Sequence, residues 1–157
     1  MGKKNGFSLI ELLIVVSIIL VIAAIAIPNF LRSRMAANEA SAVGSTRTIN
    51  TAAVTYTTAY PDLGFPATLA AMGGTSCTVT SSTNACVLDE VLAGGTKAGY
   101  TFLWVGDGLV PSAAYTLTTT PVAVGQTGQR QFCTDSTNII YYETSGSGCT
   151  SASQPLQ

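Results

Sequence analysis

The stretch from Leu9 to Ile27 constrains this chain more than any other, with 19 residues and a single charge. As a helix rising about 1.5 Å per residue it would span about 28 Å, close to the thickness of a bilayer's hydrocarbon core. The segment can therefore cross a membrane. From Leu12 to Ile27 only Ser17 interrupts the apolar run. Glu11 is the anomaly, because an ionisable side chain inside an apolar block costs on the order of a few kcal/mol unless it snorkels or finds a partner. A charge retained at that cost points to a function.

The flanks do not fit an ordinary secretory signal. Such a signal has a basic start, an apolar core of about 7 to 15 residues and a small-residue cleavage site after that core. Here Lys3 and Lys4 supply the basic start, but the apolar run is too long and the small residue, Gly6, precedes it. A cut after Gly6 removes the basic leader and keeps the apolar helix. The order of basic leader, Gly6, Phe7, then Ser8-Leu9-Ile10-Glu11-Leu12-Leu13-Ile14-Val15-Val16, with Pro28 closing the span, resembles the type IV pilin and type II secretion pseudopilin class across residues 3 to 34.

The resemblance implies a set of roles. A membrane-bound aspartyl prepilin peptidase would cut after Gly6 and N-methylate the new terminus at Phe7. Glu11, four residues after that terminus, would pair with the Phe7 amine of a neighbouring subunit. A carboxylate and an amine, with reference pKa values on opposite sides of neutrality, can satisfy each other when subunits stack in register. The simpler alternative is a plain membrane anchor whose Glu11 snorkels to the interface.

Length and charge bound the rest. The 157 residues allow one modest domain beyond the anchor. Seven Lys and Arg, two of which leave with the leader, against eight Asp and Glu leave the mature side chains at −3. No basic surface remains to suggest a nucleic-acid site. Lys3 and Lys4 should keep the N-terminus in the cytoplasm, although Arg32 and Arg34 on the far side weaken that asymmetry. The four cysteines, Cys77, Cys86, Cys133 and Cys149, all fall in the part expected outside the cytoplasm.

Four cysteines allow three pairings. Cys77 with Cys86 and Cys133 with Cys149 are favoured, since each pair brackets a short Ser/Thr/Asn/Gly-rich loop that a bridge would close for about 2 to 4 kcal/mol. A zinc site or a thiol-redox centre lacks the necessary spacing, and the chain contains no His.

Along the chain, residues 1–6 read as leader, 7–30 as transmembrane and filament-core helix, 31–60 as an amphipathic helical half, 61–98 as a variable loop region, and 99–157 as an antiparallel sheet with a C-terminal disulfide loop. Pro28 removes one backbone hydrogen bond and should kink the helix. Ala42, Thr46, Ile49, Ala53, Tyr56 and Tyr60 recur at helical spacing on one face. Pro61 ends the helix. Short helical turns are expected at Ala67 to Met72 and Val87 to Leu92.

Strand patterns then occupy Gly99 to Val105, Ala113 to Thr120, Gln129 to Thr134 and Asn138 to Glu143. One sheet face should bury Tyr100, Phe102 or Trp104, Leu117, Phe132 and Ile139 or Ile140 against the helix stripe. The expected fold class is α+β, a long N-terminal helix packed on a C-terminal antiparallel sheet of about four strands. That is the type IV pilin fold implied by the resemblance.

No enzyme is expected. Without His, a Ser/His/Asp or Cys/His nucleophile is not available, and the acids beyond Glu11 are scattered except Asp89-Glu90. Asp89, Glu90, Asp107 and Asp135 as calcium ligands form no spaced motif, so neither metal nor cofactor is expected. Trp104, Tyr141 and Tyr142 read as strand core rather than as an adhesive or electron-carrying stripe.

Three functional classes follow. The first is a type IV pilin, held in the inner membrane as a precursor and polymerised into an extracellular helical homo-oligomer for adhesion, motility or DNA uptake. The second is a type II secretion pseudopilin forming a periplasmic fibre. The third is an anchored binding module that never polymerises. The first two require prepilin peptidase and a pilus or secretion assembly machine as partners. A Cys133 to Cys149 loop leans toward the pilin, since many pilins close a C-terminal loop in this way.

Overall fold

The computed structural model describes residues 6–74, 77, 79–144, 146 and 148–156. Lys3 and Lys4, and Thr75, Ser76 and Thr78 of the loop after the helix, lie outside the described residues. The chain divides into two compact units, Met1–Arg34 and Met35–Gln157. Helix α1 (Leu9–Ala59) contributes to both, and Pro28 lies inside it.

In the first unit, every Val, Ile, Leu and Phe from Phe7 to Leu31 is exposed. This helix is long and apolar enough to cross a membrane. Past its first turn a helix satisfies its own backbone groups, which a bilayer requires. The Ser17 hydroxyl donates to the Ile14 carbonyl at 2.8 Å, so the one polar residue of the run also carries its own partner.

In the second unit, α1 is amphipathic. Ala42, Thr46, Ile49, Ala53 and Tyr56 are buried as their spacing predicts, and Tyr60 is half-buried. Two four-residue helices follow, α2 (Leu69–Met72) and α3 (Glu90–Ala93). Asp89 caps α3 by accepting the Leu92 N–H at 2.9 Å, which starts this helix three residues later than the expected Val87.

Six strands make one antiparallel meander in chain order: β1 (Thr96–Lys97), β2 (Tyr100–Gly106), β3 (Tyr115–Pro121), β4 (Gln131–Asp135), β5 (Ile140–Glu143) and β6 (Gln154–Pro155). The four longer strands are those expected; β1 and β6, of two residues each, are too short to carry an alternating pattern. Tyr100, Phe102 and Trp104 of β2 all point inward, while Thr101, Leu103 and Val105 point out. Trp104 stands opposite Leu117, and Leu117 opposite Thr134. Ile140 is buried and Ile139 exposed. Trp104 stacks on Tyr115 at 4.1 Å between ring centres, and Phe65 meets Tyr115 edge-on at 4.8 Å.

Strand boundaries shift where a side chain captures the backbone. Asp107 accepts the N–H groups of Ala113 and Ala114 at 2.9 and 3.1 Å, so β3 starts at Tyr115 rather than Ala113. Glu39 accepts those of Gln129 and Arg130, so β4 starts at Gln131 rather than Gln129. Asn138 has φ of +62° and leaves β5 to begin at Ile140. Disulfides join Cys77 to Cys86 and Cys133 to Cys149, with Cα separations of 5.8 and 5.6 Å.

Candidate functional site at the N-terminus

Gly6, Phe7 and Ser8 precede the first helical residue, Leu9. Phe7 is 78% exposed, and a Cβ built on Gly6 would meet nothing within 4 Å. The Gly6–Phe7 peptide bond is therefore open to a protease.

Ser8 and Glu11 form one structural unit. The Ser8 carbonyl accepts the Leu12 N–H at 3.2 Å, the first helical hydrogen bond, which makes Ser8 the N-cap. The Ser8 N–H in turn donates to Glu11 Oε2 at 2.9 Å. This is the return arm of a capping box, in which the carboxylate three residues into the helix satisfies the cap's own amide. The Glu11 carboxylate also lies near the positive end of the helix macrodipole, where negative charge is favoured. Glu11 therefore has a partner in its own chain, and a carboxylate keeps acceptor capacity beyond one N–H. Ser-x-x-Glu ahead of an apolar run is the sequence signal of this arrangement, and it brings Ser8 into the site beside Glu11.

Glu39 is a second residue that the apolar periodicity does not reveal. It lies three positions before Ala42, on the buried helix stripe, and a carboxylate there is the signal. Glu39 is 8% exposed. Its Oε1 accepts the Gln129 and Arg130 N–H groups at 2.9 and 3.1 Å, and its Oε2 takes the Arg130 Nε–H at 2.7 Å. Arg130 also lies 5.6 Å from the Phe132 ring centre and 5.7 Å from that of Tyr142. Burial alone would push the Glu39 carboxyl up, but the Gln129 N–H and the two Arg130 groups outweigh it and hold it below the usual glutamate range.

Further polar bonds tie helix to sheet. The Thr46 and Thr119 hydroxyls are 3.1 Å apart, Asn50 Nδ2 donates to Thr134 Oγ1 at 3.1 Å, and the Tyr115 hydroxyl lies 3.1 Å from Asn50 Oδ1. Trp104 Nε1 donates to the Pro66 carbonyl at 2.8 Å. Burial pushes the Tyr100 and Tyr115 hydroxyls up to about 12, with the charges of Glu39 and Asp135 adding to it respectively.

Of the four acids considered as calcium ligands, Asp89, Asp107 and Asp135 have other partners. Asp89 caps α3 and pairs with Lys97 at 3.6 Å. Asp107 accepts the Leu109 N–H as well as those of Ala113 and Ala114, and these bonds, led by Leu109 and the Ser112 hydroxyl, hold its carboxyl down at about 2. Asp135 takes the Thr137 N–H and hydroxyl at 2.8 and 2.6 Å. Among the described residues no three His, Cys, Asp or Glu side chains gather as a metal site.

Residues 1–27 match the model of the prokaryotic N-terminal methylation motif. The type IV wide pilus major component PilA4 of Thermus thermophilus is 54% identical over 39 residues, which cover 25% of this chain and 30% of that relative. The chain thus aligns with less than a third of the length of the curated relative it matches. No solved structure matches the chain.

Proposed function

Because this chain begins with the prokaryotic N-terminal methylation motif shared by type IV pilins and their pseudopilin relatives, we propose that it is the structural subunit of a type IV pilus. It enters the inner membrane by Leu9 to Ile27, is cut after Gly6 and N-methylated on Phe7 by prepilin peptidase, and is extracted by an assembly machine into an extracellular helical filament. The observation that carries this reading is the exposed Gly6–Phe7 bond directly ahead of a capped helix whose Val, Ile, Leu and Phe side chains are all exposed as far as Leu31.

Such a surface must be covered, by lipid before assembly and by neighbouring helices after it. At about 25 cal/mol per Å² of apolar surface, close packing of these helices offsets the loss of the membrane. Glu11 sets the register. It caps its own helix through Ser8 and accepts the free Phe7 amine of the next subunit with its remaining lone pairs. No catalytic step is assigned to the chain.

The test is mass spectrometry of the N-terminal peptide, run separately on sheared surface fibres and on membranes. A methylated Phe7 terminus abundant in the fibres is the expected result. The same terminus confined to membranes would assign the chain to a periplasmic pseudopilus instead. An intact leader throughout would overturn both. Glu11→Ala should leave a processed, membrane-resident chain that does not assemble, and abundant normal fibres from that variant would remove Glu11 from the register role.

A further inference from the structure

Granted the membrane-inserted precursor proposed above, we infer that Arg32 and Arg34 form a collar that binds the phosphate groups of anionic phospholipids at the outer face of the inner membrane. Between Glu11 and Arg32 lie 20 residues without a charge, about 30 Å of helix, which is the thickness of the hydrocarbon core. Charges therefore bound the span at both ends: Glu11 on the leader side, Arg32 and Arg34 on the far side. Every large apolar side chain between them is exposed, Phe30 included, so the apolar surface runs up to the arginines without a break.

The two arginines have no other use among the described residues. Both are exposed, and neither makes an ion pair, whereas Lys97 and Arg130 are paired with Asp89 and Glu39. They also run against the rule that flanking cations stay in the cytoplasm. Once Lys3 and Lys4 leave with the leader, Arg32 and Arg34 are the sole Lys or Arg residues between Phe7 and Thr46. Processing thus leaves the anchor with cationic side chains at its outer end only.

Their chemistry suits a phosphate. The guanidinium fork donates two parallel N–H bonds to phosphate oxygens, and its long stem lets the head reach the interface while the stem lies along acyl chains. Residues two apart on a helix point about 200° from each other, so the pair engages two headgroups on opposite sides of the helix rather than one. This favours a lipid surface, which surrounds the helix, over a single acidic patch, which would meet one side.

The test uses the full chain, first in vesicles and then in neutral detergent. Alkaline carbonate should not release it from vesicles; release would overturn both the membrane reading and the collar. Native mass spectrometry with equal phosphatidylglycerol and phosphatidylcholine should show phosphatidylglycerol retained preferentially. Each arginine near an anionic surface is worth roughly fivefold in binding, so Arg32→Gln/Arg34→Gln should lose roughly 25-fold. The charge-matched Arg47→Gln/Lys97→Gln should lose none.

Three results overturn the collar while leaving the membrane reading intact. One is unchanged lipid retention and unchanged self-association in the Arg32→Gln/Arg34→Gln variant. Another is unchanged retention together with lost self-association, which would assign the arginines to carboxylates of a second copy. The third is displacement of the lipid by millimolar inorganic phosphate, which would make the ligand a free anion.

Discussion

Replacing Glu39 should destabilise the globular unit by about 3 kcal/mol. The carboxylate takes two backbone N–H groups and the Arg130 guanidinium in a nearly closed site. Hydrogen bonds to a charged group contribute about 1.5 to 3 kcal/mol each, and breaking a buried ion pair costs about 3 to 5 kcal/mol. The Arg130 side chain is 39% exposed and can be rehydrated, so the lower end applies. Glu39→Ala should then lower Tm by about 10 °C. Glu39→Gln keeps an oxygen for the two N–H groups but not the charge, and should cost about half as much.

The pH dependence carries the same logic. The folded carboxyl sits below its unfolded range, so its stabilisation is complete above the unfolded pKa and is lost as pH falls through the folded value. Wild type and Glu39→Gln should therefore converge in Tm on acidification from pH 7 toward 3. The assay is thermal unfolding of the full chain in neutral detergent, followed in the near-ultraviolet, where the Trp104–Tyr115 stack reports packing. A Glu39→Ala Tm within about 2 °C of wild type at pH 7, or a wild type to Gln gap that does not narrow in acid, would refute the reasoning.

Gly128→Ala should cost about 1 to 3 kcal/mol in urea unfolding, because the new methyl group would run into the hydroxyl and ring of buried Tyr100. Gly44→Ala, in the helix with nothing within 4 Å of the added Cβ, should instead stabilise by about 0.5 to 1 kcal/mol. Replacing Cys133 and Cys149 by Ser opens a bridge across 16 positions and should cost about 3 kcal/mol, read from the same urea curves. In a carbon-detected NMR titration the Asp107 carboxyl should protonate only near pH 2, whereas an ordinary aspartate midpoint would mean that the Leu109, Ala113 and Ala114 bonds do not persist in solution.

The apolar span, the buried stripe from Ala42 to Tyr56 and the four longer strands could be read from period and composition, because each side chain there does what its position in a helix or strand demands. The ends of the elements could not. Ala113, Gln129 and Val87 look like strand or helix residues in isolation, and what excludes them is a carboxylate elsewhere: Asp107, Glu39 and Asp89 take or redirect the N–H groups that would have continued the element. Glu39 acts across 90 positions of sequence, a distance at which periodicity carries no information. At the N-terminus the motif spacing singles out Gly6, Phe7 and Glu11 as the expected processing and register positions. The cap formed by Ser8 is equally local, three residues from Glu11.

The bonds from Glu39 to Arg130, Thr46 to Thr119 and Asn50 to Thr134 all reach sideways from one helix onto the sheet unit. A force pulling on that helix along its axis meets them in shear. Loaded side by side, they share the tension and must yield nearly together, rather than peeling apart one after another. A helix greased only by alanine and isoleucine would slide under the same load, whereas this one is cross-braced against sliding.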